Sequence, residues 1–204
     1  MKIIYATNNM EKKIQVQEFL DFNNYDIKLL TLKDIGFNED IDETGTTFEE
    51  NSEIKARAVK AYCEKNGIEG IIVADDAGLE VDALGGRPGV HSARYAGDHA
   101  PQAKVLEKLL GEMKDVEEKD RTARFTCVLT TILPNGEKIV CKGVTNGRIA
   151  KECGTMGKLT YCPVFIPNGF DRVMNELTVE EIGTTHREKA WRELISKLKS
   201  KGMI

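Results

Sequence analysis

The chain lacks the marks of several large protein classes. Its net charge is only −4 and it has no block of Lys or Arg, so it carries no electrostatic footprint for nucleic acid or an anionic membrane surface. Its five cysteines (Cys63, Cys127, Cys141, Cys153 and Cys162) are odd in number and include no C-x-x-C pair. That argues against a disulfide framework or a zinc site and for a reducing compartment, here expected to be the cytoplasm. No run approaches the roughly 20 apolar residues that a membrane span needs. The apolar run in MKIIYATNNM is too brief for a signal peptide and reads as a short strand. Repeats, low-complexity segments and linkers are also missing, so one domain over residues 1–204 is expected.

What is present is an ordinary globular composition, with 41% hydrophobic and 30% charged residues over a length that supports a real core. KIIYA at residues 2–6 reads as a strand. A polar turn at Thr7-Asn8-Asn9 follows, then a helical pattern whose apolar positions are Ile14, Phe19 and Leu20. DIKLLT at 26–31 reads as a second strand. Thr46 or Thr47 ahead of Glu49 and Glu50 resembles a capping box and opens a long helix that Gly67 closes. A strand at 70–74 leads into DDAGLEVDALGGRPGV, whose Gly and Pro content predicts an ordered loop. A helix at 101–112, two strands around the turn Pro134-Asn135-Gly136 and a C-terminal helix at about 186–201 complete the pattern. The predicted class is α/β: a mixed sheet with flanking helices.

The chemistry gathers in a few places. IIVADDAGLE plants Asp75 and Asp76 at the end of an apolar strand. Either the pair caps a turn through local backbone bonds, or one or both hold a divalent cation or act as a base. Successive strand residues point to opposite faces, so only one of the two can aim into a given pocket. Glu50, at a helix start, is either a solvated, dipole-complementing carboxylate or a second hard oxygen ligand. ATNNMEKK offers Thr7, Asn8, Asn9 and Lys12 between a strand and a helix, where N–H groups and a lysine hold phosphate, although the glycines of a P-loop are absent. Lys55, Arg94 and Arg187 add cations, and His186-Arg187 opens the last helix. With no global attraction for a polyanion, such local charge or a metal has to supply it.

The stretches ATNNMEK, TGTTFEENSEIKARA, VADDAGLEVDALGGRPGVHSARYAG and THR, in this order over almost the whole chain, resemble the inosine triphosphate pyrophosphatase family. The resemblance implies hydrolysis of noncanonical purine nucleoside triphosphates to monophosphate and pyrophosphate, with Mg²⁺ as cofactor. It also implies an elongated two-lobed fold, a nucleotide cleft between the lobes and a homodimer. Carried over by position, Asp76 is the catalytic aspartate and a metal ligand, Glu50 is the second metal residue, and Thr7 to Lys12 with Lys55 hold phosphates. His186 and Arg187 match a Ser-His-Arg motif that helps hold base and phosphates.

The sequence departs from the family pattern at several points. Gln15 replaces a glutamate three residues after the lysine, and Ala77 replaces a serine. Leu159, Thr160, Tyr161, Cys162 and Pro163 stand where the family has Phe-Gly-Tyr-Asp-Pro, the ring and carboxylate that grip the purine. Ile182 stands near the place of a lysine, and Thr185 replaces the serine of Ser-His-Arg. The metal carboxylates survive while the base-recognition wall changes, so an altered or relaxed base preference, or a catalytically impaired nucleotide-binding protein, is expected.

Overall fold

The computed structural model describes residues 1–157 and 159–204; Lys158, within the GKLTYCPVF stretch, lies outside them. The strands form one six-stranded sheet in the order β2-β1-β3-β4-β5-β6. The chain divides into two compact units: Met1–Asp76, Cys127–Gly143 and Arg187–Ile204 make the first, and Ala77–Thr126 with Val144–His186 the second.

In the first unit, β1 (Lys2–Tyr5) runs parallel to both β2 (Lys28–Leu30) and β3 (Ile71–Val81), with Ile3 opposite Leu29 on one side and Ile71 on the other. Parallel neighbours need crossovers, and helices supply them. α1 (Met10–Phe22) joins β1 to β2, and α2 (Phe48–Lys65) lies between β2 and β3. Asn9 caps α1 by accepting from Glu11 N and Lys12 N. At α2 the capping box forms with Thr47 as N-cap and Glu50 at the third helical position, as the sequence suggests. Ala56, Val59 and Cys63 of α2 pack on Ile4, Ile72 and Ala74 of the sheet. On α1, Phe19 and Leu20 are buried as expected, but Ile14 is 44% exposed and Val16 takes the inward place. The last helix, α5 (His186–Ser200), buries Ala190, Trp191, Leu194, Ile195 and Leu198, and Trp191 meets Tyr5 edge-on at 5.5 Å.

β3 corrects one expectation. Residues 75–81 are not loop: the strand continues through both aspartates to Val81, and the loop begins only afterwards. Asp and Gly are poor strand formers, yet partners on the two faces and the return of apolar Leu79 and Val81 override that preference.

The second unit has its own core, in which Leu79, Val81, Leu106, Leu109, Phe125, Phe165 and Met174 meet. α3 (Gln102–Glu112) supplies its apolar side to this core, and α4 (Val179–Ile182) is a single turn. β4 (Thr122–Ile132) and β5 (Lys138–Ile149) each contribute to both units, and the tight turn joining them, in which Gly136 N donates to Leu133 O, belongs to the first. β6 (Phe165–Pro167) runs antiparallel to β5 with Gly147 opposite Pro167. Glycine is required there, because a Cβ on Gly147 would lie 2.3 Å from Ile166 O.

Candidate active site

Adjacent strand residues face opposite ways, and β3 uses this to give its two aspartates different partners. Asp75 is 1% exposed. Lys12 Nζ donates to its Oδ1 at 3.1 Å, and Arg187 NH2 donates to its Oδ2 at 3.3 Å. Burial is the largest single influence on Asp75 and works to raise its pKa. The combined charges of Lys12, Arg187 and Lys55 outweigh it and hold the carboxyl well below the usual carboxylate range. Asp75 is therefore a permanent anion, saturated by its own cations. The phenol of Tyr5 and the thiol of Cys127, buried in the same cluster, are both raised, Cys127 to about 12, first by desolvation.

Asp76 is in a different state. Asn51 Nδ2 donates to its Oδ2 at 3.2 Å, and Lys55 Nζ lies 3.9 Å from its Oδ1. Burial and then the charge of Glu43 push its pKa up, and Lys55 and Asn51 only partly offset them. Lys55 is itself shared, since its Nζ donates to Glu43 Oε2 at 3.3 Å. A desolvated carboxylate with a raised pKa beside a second acidic group has the character of a general base or a cation ligand.

The other sequence-predicted residues of this unit are placed as follows. Thr7 is buried and accepts from Asn9 N at 3.0 Å; Asn9 caps α1, and Asn8 is exposed. Lys12 Nζ, expected to hold phosphate, rests on Asp75. Glu50 is at the surface, and its Oε2 accepts from Thr46 N, Thr46 Oγ1 and Thr47 N. Those bonds, led by Thr46 N, lower its pKa. Arg187 is 8% exposed; its NH1 donates to Gln15 Oε1 at 2.9 Å, and its Nε finds no acceptor among the described residues. Gln15, read in the sequence only as a lost charge, is thus an acceptor for Arg187. Asn51 and Glu43 were not singled out. For Asn51 a signal was available, because it lies four residues before Lys55 and shares its helical face.

In the second unit, Tyr161 OH donates to Ser92 O at 2.7 Å, and Ser92 Oγ accepts from Leu79 N. Cys162 is buried, its Sγ donating to Met174 Sδ at 3.7 Å, and desolvation raises its thiol to about 12. It stays neutral and acts as an apolar filler. Leu159 and Thr160 are exposed, and their carbonyls accept from Gln102 Nε2. Arg94 is exposed at the end of a short 3₁₀ turn, and Ala77 is half-buried on β3. His186 stacks on Phe125 at 5.1 Å, and Ile182 packs against the apolar core.

The profile of the Ham1 family matches residues 3–197. The chain belongs to the Ham1 family. It is 43% identical over 192 residues to a dITP/XTP pyrophosphatase of Bacillus subtilis, covering 94% of this chain and 93% of the relative. A dITP/XTP pyrophosphatase of Clostridium perfringens is 40% identical over 201 residues, covering 97% of each chain. Among solved structures, the Staphylococcus aureus Ham1 protein superposes with a TM-score of 0.84 at 33% identity, covering 98% of this chain and all (100%) of the other. The family seen in the sequence motifs and the α/β class are both borne out. No group of three or more His, Cys, Asp or Glu side chains is preassembled for a metal among the described residues. A divalent cation there would take one or two carboxylates and complete its shell with water and substrate phosphates. Asp76 is a carboxylate whose pKa burial, with the charge of Glu43, raises.

Proposed function

We propose that this chain hydrolyses noncanonical purine nucleoside triphosphates, of the dITP and XTP type that its relatives are named for, to the monophosphate and pyrophosphate. The observation that carries the reading is the contrast between the two aspartates. Asp75 is locked as a structural anion by Lys12 and Arg187, while Asp76 is held in reserve with a raised pKa. Asp76 takes a proton from the attacking water, and the α–β phosphoanhydride bond breaks with pyrophosphate leaving. Lys55 and Lys12 lie beside the two carboxylates and neutralise phosphate charge. Asp76 and Glu50 are the residues that would hold Mg²⁺, which would supply charge neutralisation at the triphosphate. The enzyme works as a cytoplasmic homodimer.

Base preference departs from that of an inosine-specific enzyme. Cys162, neutral and turned to Met174, and Ile182, packed in the core, offer no charged group to a purine edge. A site that loses a hydrogen-bonding partner for its substrate loses discrimination, by up to about 10⁴-fold where the partner was fully used. The test is pyrophosphate release from a panel of common and modified nucleoside triphosphates with Mg²⁺. Turnover of several purine triphosphates, abolished in Asp76→Asn, is expected. Equal inactivity of wild type and variant across the panel would establish the alternative, a nucleotide-binding protein without catalysis.

A further inference from the structure

Hydrolysis by Asp76 depends on where its carboxylate points, and one buried amide bonds to it. Asn51 is 1% exposed, in the first turn of α2. An amide has one acceptor end and one donor end, and its surroundings decide which way round it sits. Gly45 N donates to Asn51 Oδ1 at 2.8 Å. A backbone N–H needs an acceptor, so the oxygen faces Gly45 and the NH₂ is turned to Asp76 Oδ2 at 3.2 Å. Gly45 fits closely: a Cβ there would lie 2.6 Å from Asn51 Oδ1 and 2.7 Å from Glu50 Cβ. Asn51 thus ties three things together: the loop that carries Glu43, the first turn of α2 that carries Glu50, and the carboxylate of Asp76.

We propose that Asn51 is a positioning residue of the hydrolytic site: its amide, oriented by the Gly45 N–H, fixes the rotation of the Asp76 carboxylate and so the direction of Oδ1. Oδ1 is the oxygen on the Lys55 side, where phosphate and water are handled. This rests on the function proposed above. Misorientation of a base lowers the rate of the chemical step and leaves the affinity for the remainder of the substrate largely unchanged.

Asn51→Asp separates positioning from scaffolding. The aspartate keeps an acceptor for Gly45 N and replaces the donor to Asp76 with a second carboxylate, whose charge raises the Asp76 pKa, so the rates are compared on the plateau above the acid limb of each pH profile. On the full chain, with dITP and Mg²⁺, kcat is expected to fall by about tenfold or more with KM changed by less than about threefold. Gly45→Ala, which crowds the amide without replacing it, should lower kcat in the same sense by a smaller factor. It also serves as the second variant if Asn51→Asp does not fold. A full-rate Asn51→Asp, or an effect confined to KM, overturns the proposal. A readout independent of turnover is the side-chain amide resonance pair of Asn51, assigned by its loss in Asn51→Asp. It should shift in Asp76→Ala and stay in place in the surface variant Glu64→Gln. If it does not move in Asp76→Ala, the contact is absent and the proposal fails. A wild-type protein without turnover sinks the hydrolase reading, and this resonance still decides the contact.

Discussion

Two neighbouring aspartates in one strand carry opposite electrostatics, and this yields a pair of opposite stability effects. Asp75 is the counter-ion of buried Arg187 and of Lys12. Removing one partner of such a cluster leaves charge buried without compensation, which costs about 3–5 kcal/mol. Asp75→Asn should therefore lower the midpoint of urea unfolding markedly. Asp76 has a raised pKa, so its ionised form opposes folding at neutral pH, and deleting the charge relieves that. Asp76→Asn is expected to lose turnover while melting at or above the wild-type temperature. A substantial loss of stability in Asp76→Asn would contradict this account. Residues that hold a strained charge for chemistry stabilise poorly, and the trade is a common one.

At the scale of elements, β3 shows how far the local pattern carries. The apolar run 71–74 was readable as a strand, but the end of the strand was not. Whether Asp75 and Asp76 break a strand depends on partners brought from α1 and α5 to Asp75 and from α2 to Asp76, all distant in sequence. The capping box of α2, by contrast, was legible because every group in it lies within four residues. β5 and β6 give an element-scale prediction. Gly147→Ala places a methyl group against Ile166 O and the Phe165 ring, contacts that backbone and ring cannot relieve without opening the strand pair. A loss of about 1–3 kcal/mol is expected from equilibrium unfolding, as for other overpacked sites. A variant as stable as wild type would show that β6 shifts freely.

For the whole molecule, the two aspartates predict a pH window in which the protein is folded and inactive. The folded pKa of Asp75 is depressed, so its stabilisation is fully present above the unfolded carboxylate value of about 4 and is lost as pH falls through the lower folded value. The Asp76 pKa is raised, so as a base it is already being protonated above about 4. The acid limb of kcat/KM, which reports the free enzyme, should therefore lie at higher pH than the acid-unfolding transition followed by circular dichroism. Coincident transitions would refute the assignment. The sequence by itself determined the α/β class, the family and the short-range devices, because hydrophobic period, caps and ordered motifs are properties of neighbours along the chain. It also named both aspartates, Glu50, Lys55 and Arg187. Only the tertiary structure decided that Asp75 is saturated by Lys12 and Arg187, that Gln15 accepts from Arg187, and that Asn51 donates to Asp76. Those roles depend on burial and on charges that meet from distant segments. Desolvation and Coulomb energies are set by distances in space, which spacing along the chain does not encode.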